Sequence, residues 1–255
     1  MHPEFIRIGP FDIRSYGVLV ALGFMVGLYL AAWRGKREGL GSQRIMDLGV
    51  WLIIAGMLGA KLYYVVVLWP DFIAGWRVEG LRSLRQGFVF FGGFIGACVA
   101  TIYYARRCRV SLWKLADVMA PSVALGHAFG RVGCFFNGCC FGSSCDVAWS
   151  VRYPVGHPAH SYPSHPVQLY EAAGNLLIFV GLSVWFRHRK FDGQVWWLYT
   201  LAYGALRFGI EFIRGDYKAH YFGVYTNAHV IAVLLIAVSV AMLARLGTGR
   251  RDEHV

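Results

Sequence analysis

Seven apolar runs, each followed by polar or basic residues, constrain this chain more than any other feature. They lie at about Tyr16–Trp33, Ile45–Trp69, Phe88–Ala105, Leu112–Phe136, Val167–Phe186, Val195–Ile213 and Tyr225–Leu246. About 20 apolar residues in a helix cross a hydrocarbon core, so the expected fold is an all-α polytopic membrane protein with about seven transmembrane helices. Only 15% of residues are charged and 57% are hydrophobic, whereas a soluble domain carries charge on about a quarter of its residues. The first run is full length and is preceded by Glu4 and Asp12, which marks it as a retained span rather than a cleavable signal.

The formal charge of +11 points to topology before it points to nucleic acid, and no nucleic-acid partner is expected. Basic clusters follow the odd-numbered runs: Arg34, Lys36 and Arg37, then Arg106, Arg107 and Arg109, then Arg187, Arg189 and Lys190, then Arg250 and Arg251. Lys and Arg accumulate in cytoplasmic loops. That rule sets the N-terminus outside and the C-terminus in the cytoplasm. The outer side then holds an arm over Pro70–Gly87, rich in Trp and Phe near its start and suited to an interface. It also holds a long Cys- and Pro-rich loop, Asn137–Pro166. Nothing divides the chain, so residues 1–255 form a single integral membrane domain.

Five ionisable residues fall within or beside the runs: Lys61, Arg131, Glu171, Arg207 and Glu211. Each is costly in lipid. Lys61 is placed to snorkel, and Glu171, one turn into its run, is placed to face the outer water. Arg207 and Glu211 are four apart and share a helix face, with Arg214 continuing that side. Arg131 adds a second cation. Two guanidinium groups facing one cavity suit a phosphate, which each binds through paired hydrogen bonds. Gly92, Gly93 and Gly96, and Gly126, Gly130 and Gly133, form small-residue faces that let helices pack closely or backbone approach a ligand. The stretch from Gly130 to Gly142 joins Arg131 to an Asn137-Gly138 turn and a run of cysteines.

At these residues the sequence resembles the prolipoprotein diacylglyceryl transferases of bacterial inner membranes. The motifs come in order: Ser15-Tyr16-Gly17; Phe90-Phe91-Gly92-Gly93-Phe94-Ile95-Gly96; Asp117 with Pro121; Gly130-Arg131 through Asn137-Gly138 to Gly142; His165-Pro166-Val167-Gln168-Leu169-Tyr170-Glu171; and Tyr203 through Arg207 and Glu211 to Arg214. The resemblance implies transfer of the diacylglyceryl group of phosphatidylglycerol to the lipobox cysteine of a preprolipoprotein. A thioether forms and glycerol 1-phosphate leaves, in a multi-pass protein of the inner membrane whose site opens outward. It implies no cofactor and no metal.

By the same resemblance, Arg131 and Arg207 bind the phosphate and headgroup, and Glu211 orients Arg207. Tyr16 and Tyr203 donate hydrogen bonds or assist proton movement. Asn137 and Gly142 shape the loop that seats the substrate, Gly92, Gly93 and Cys134 complete its binding surface, and His165, Gln168 and Glu171 fix the start of the fifth run. The chain departs from the family where a histidine often precedes the Gly-Gly pair, since Phe91 stands there. It departs again at Cys134, usually Asn, and Cys139, usually Glu. His127, one turn before Arg131, is the candidate to replace the missing base. Cys134, Cys139, Cys140 and Cys145, with His157, His160 and His165, admit three states: disulfides closing the loop, free thiols, or a metal site. The competing function is therefore a membrane thiol-redox or metal-handling protein. Cys98 and Cys108 are expected to pack.

Overall fold

The computed structural model describes residues 4–8, 11–80, 88–216 and 225–249. Part of the expected outer arm, residues 81–87, and the Arg250-Arg251 cluster lie outside them. A short antiparallel hairpin comes first, β1 (Glu4–Ile8) and β2 (Phe11–Arg14). The sequence reading did not anticipate it, although Gly9-Pro10 between two apolar-alternating segments is a turn signal. Among the described residues eight α-helices follow: α1 (Ser15–Arg37), α2 (Ser42–Val67), α3 (Trp69–Glu79), α4 (Phe90–Arg107), α5 (Leu112–Asn137), α6 (Val167–Trp185), α7 (Gln194–Glu211) and α8 (Asn227–Gly249). Seven of them overlie the seven apolar runs. The eighth, α3, is the start of the expected arm. Pro70 sits in its first turn, where a missing N–H costs nothing, and Gly80 ends it at φ 56°.

Among the described residues four helical segments are long and apolar enough to cross a membrane: Ser15–Arg37, Ser42–Val67, Val167–His188 and Asn227–Thr248. Their large side chains point outward in number, with Leu58 65% and Leu177 73% exposed. Water would penalise such a surface and lipid does not. The chain is a polytopic membrane protein.

By contacts the chain forms two compact units, Ala32–Leu115 in one and Met1–Ala31 with Ala116–Val255 in the other. In the first, α2 packs on α4 through glycines that bring backbone against backbone. A Cβ on Gly93 would stand 3.2 Å from the Gly56 carbonyl, and one on Gly59 would overlap that of Gly92. Tyr104 donates to the Arg44 carbonyl at 2.9 Å. Lys61 lies 5.1 to 5.8 Å from the rings of Tyr64, Phe72 and Phe88, a cation–π setting that suits an ammonium carried to the end of its helix.

In the second unit, α1 meets α5 at small residues: Gly27 lies on Ser122, Gly23 on Phe129, and Gly133 on Tyr16. Asp117 and Pro121 lie inside α5. Asp117 is fully buried because its carboxylate caps another helix. Oδ2 accepts the Gly193 N–H at 2.8 Å and Oδ1 accepts the Trp196 N–H at 2.9 Å. Those N–H groups open α7 and have no partner within it. At the other end of α7, Thr226 precedes α8 and caps it reciprocally with His229: the Thr226 N–H donates to His229 Nδ1 at 3.1 Å, and the His229 N–H to the Thr226 carbonyl at 3.0 Å.

Candidate active site

The buried charges of the second unit collect in one place. Glu171, on the first turns of α6, is 1% exposed. Its Oε1 lies 2.9 Å from Arg131 Nη2 on α5, and its Oε2 lies 3.9 Å from Arg207 Nη1 on α7. One carboxylate therefore bridges both arginines. This corrects the expectation that Glu171 faces outer water: the helix turns it inward, where only paired charges are tolerated. Glu211 pairs with Arg207 one turn back at 2.7 Å, as the spacing predicts, and lies 3.8 Å from Arg214. Thr226 donates to its other oxygen at 2.7 Å. Asp216 takes Arg214 through two hydrogen bonds, 2.5 and 3.0 Å.

Carboxylate and guanidinium groups alike keep unused hydrogen-bonding capacity: Glu171 Oε1 and Glu211 Oε2 are ion-paired but have no hydrogen bond among the described residues. Each arginine has five N–H donors. Glu171 engages one terminal nitrogen of Arg131, and Arg207 Nη1 is buried without a hydrogen bond among the described residues. Both arginine side chains keep about a seventh of their surface open, 15% and 14%. The arrangement holds two guanidinium groups against one carboxylate with donors to spare.

Aromatic rings lie beside the arginines. The His127 ring lies 4.8 Å from that of Tyr203, and its Nδ1 is 3.4 Å from the Tyr199 hydroxyl. Tyr203 stands beside Arg131. Tyr16, half-exposed at the start of α1, lies against Gly133, where a Cβ would be 3.0 Å from its ring. Gly92 and Gly93 belong to the other unit, where both contact α2. Phe91 there is exposed.

The loop between α5 and α6 is built from pairings rather than from helices. The Gly142 N–H donates to the His165 carbonyl at 3.2 Å, the Ser143 N–H to that of Ile213 at 2.8 Å, and the Gly215 N–H to that of Phe141 at 3.0 Å. A Cβ on Gly142 would lie 2.5 Å from the His165 oxygen and 2.7 Å from Val167. That close approach is why glycine stands here. Gln168 reaches the Cys139 carbonyl at 2.7 Å and the Tyr153 hydroxyl at 3.1 Å. Burial pushes the Tyr153 hydroxyl's pKa up.

Asn137-Gly138 closes no hairpin. It ends α5 in a Schellman turn: Gly138, at φ 78°, donates to the Phe135 carbonyl at 3.2 Å, and Cys139 to that of Cys134 at 3.2 Å. Asn137 itself is exposed. All six cysteines are free. The expected Cys/His set is divided. His157 Nε2 serves the Gly138 carbonyl and its Nδ1 the Ala159 N–H, His160 binds the His157 carbonyl, and His165 faces Tyr170. The sequence missed two parts of this site, Glu171 as a bridge and Thr226 as a support for Glu211. Both are contacts between different helices, which spacing along one helix does not reveal.

A family model described as prolipoprotein diacylglyceryl transferase matches residues 3–245. A phosphatidylglycerol–prolipoprotein diacylglyceryl transferase of Synechococcus elongatus is 34% identical over 248 residues, 93% of this chain and 85% of its own. Enzymes of the same name from Synechocystis and Clostridium tetani are 32% and 33% identical, covering 94% and 85% of this chain and 87% and 86% of their own. The chain belongs to the prolipoprotein diacylglyceryl transferase family and is an enzyme, a transferase.

Proposed function

We propose that this protein moves the diacylglyceryl group of phosphatidylglycerol onto the lipobox cysteine thiol of preprolipoproteins, at the outer side of a bacterial inner membrane crossed by seven helices with the N-terminus outside. The Glu171 bridge between Arg131 and Arg207 is the observation that carries this reading. The acceptor thiolate attacks the glycerol carbon that bears the phosphate. A C–S bond forms, the C–O bond breaks, and glycerol 1-phosphate departs. The leaving oxygen gains charge as its bond lengthens, so donors fixed beforehand lower the barrier.

Arg131 and Arg207 hold the phosphate, Glu211 and Glu171 aim them, and Tyr203 and Tyr16 donate hydrogen bonds to the lipid. His127 is not ion-paired among the described residues and takes the thiol proton in this reading. Gly142, Asn137 and Cys134 shape the outer rim. The basic clusters support the topology. The test is purified protein with phosphatidylglycerol vesicles and a lipobox peptide. Lipidated peptide and glycerol phosphate should appear in equal amounts, and Arg131→Ala and Arg207→Ala should each remove most of the turnover. A folded sample with no turnover, or either arginine variant at the wild-type rate, overturns the reading.

A further inference from the structure

The end of α5 gathers a second group of chemically active side chains. The sulfur atoms of Cys134, Cys139 and Cys140 all lie within 4.8 Å of one another, each half-buried and none in a disulfide. Cys134 belongs to the last turn of the helix. The Schellman turn at Gly138 folds the chain back so that Cys139 and Cys140 return over it. Cys140 is held at φ 61°, a left-handed backbone that costs a non-glycine residue roughly 1–2 kcal/mol. Strain kept at one residue points to a use for it. The backbone beneath is pinned from outside, by Gln168 at the Cys139 carbonyl and His157 at the Gly138 carbonyl, each at 2.7 Å. Supports of this kind fix ligands at metal centres.

We propose that Cys134, Cys139 and Cys140 form an all-sulfur site for a thiophilic d10 metal ion, Zn(II) or Cu(I). Soft thiolates select these ions. A zinc–sulfur bond of about 2.3 Å separates neighbouring sulfurs by roughly 3.8–4.0 Å in tetrahedral or trigonal geometry. The three thiols need to close by less than about 1 Å to reach it. Cu(I) is complete with three sulfurs, whereas Zn(II) adds one ligand from solvent. The thiol protons go to water on binding, so affinity falls as pH falls. Cys145 stands outside the group and the loop histidines are engaged elsewhere. An ion here ties the end of α5 to the outer loop. The proposal does not depend on the transfer reaction.

The test uses the full-length protein in detergent, reduced and then freed of reductant without air. It is titrated separately with Zn(II), with Co(II) as a spectroscopic substitute, and with buffered Cu(I). One ion per chain should survive desalting, three of the six thiols should become protected from a thiol reagent, and Co(II) should give thiolate charge-transfer absorption. Cys134→Ser, Cys139→Ser and Cys140→Ser should each weaken binding about ten-fold or more, with Cys145→Ser unchanged and all variants monodisperse. The proposal falls if neither Zn(II) nor Cu(I) is retained by the wild type, if its thiols stay reactive, if two of the three are isolated as a disulfide, or if Cys145→Ser binds as poorly as the others.

Discussion

Replacing Glu171 by Gln tests the central claim about the site most sharply. The substitution keeps the size and hydrogen-bonding outline of the side chain and removes its charge. At an effective dielectric constant of about 20, the ion pairs at 2.9 and 3.9 Å are worth roughly 6 and 4 kcal/mol before desolvation is counted. Desolvation of three groups offsets much of that, and measured losses on removing one member of a buried pair are about 3–5 kcal/mol. Both arginines then face each other without their shared counter-charge and move apart or toward solvent. With about 1.4 kcal/mol per factor of ten, the upper figure of about 5 kcal/mol sets a ceiling on lost activity of roughly 4 × 10³-fold. Loss of one fixed donor at an anion site gives about 10²–10³-fold. The expected result is a fall of about 10²-fold in kcat for lipidated peptide formed on phosphatidylglycerol vesicles, with the variant still monodisperse. A monodisperse Glu171→Gln variant that turns over at the wild-type rate would show that the bridge does not position the arginines, and the reasoning from geometry to phosphate binding would fail with it.

Three further outcomes follow from other parts of the fold. Gly142→Ala places a methyl 2.5 Å from a backbone oxygen, so thermal unfolding in detergent should shift down by the equivalent of about 1–3 kcal/mol; an unchanged midpoint would contradict the packing. Asp117→Ala removes two buried hydrogen bonds from the start of α7, which should cost about 1–2 kcal/mol and also lower turnover, although Asp117 touches no substrate; normal activity in a destabilised variant would separate the cap from the site. Cys145→Ser should keep turnover within about two-fold, and a larger loss would bring Cys145 into the site.

Much of the fold was legible in the sequence because lipid imposes a simple rule. An apolar run bounded by Arg34, by Arg106 or by Arg187 has few alternatives to a long helix, and the helix ends fall within a few residues of those expected. The pairing of Arg207 with Glu211 was legible for the same reason, being fixed by the pitch of one helix. The Glu171 bridge was not. It depends on how α5, α6 and α7 face one another, and the small-residue faces that set this, such as Gly174 against Leu206, carry no label of their partner. The cysteines show the same limit. Their spacing matches no common metal motif, since Cys134 reaches the other two only through the backbone reversal at Gly138. The histidines looked equally available until their hydrogen bonds were seen.

The carboxylate of Asp117 also sets a scale for the site. It grips the Gly193 N–H, and Arg131 follows Asp117 by 14 residues just as Arg207 follows Gly193 by 14. At 1.5 Å per residue both guanidinium-bearing positions stand about 21 Å from that one clasp. His127 and Tyr203, whose rings meet, are each ten residues along. The two helices thus work as matched rulers read from a common zero. Inserting one residue into either, anywhere between clasp and arginine, would slide its mark by about 1.5 Å and swing it through about 100°. The two arginines would then no longer meet at Glu171.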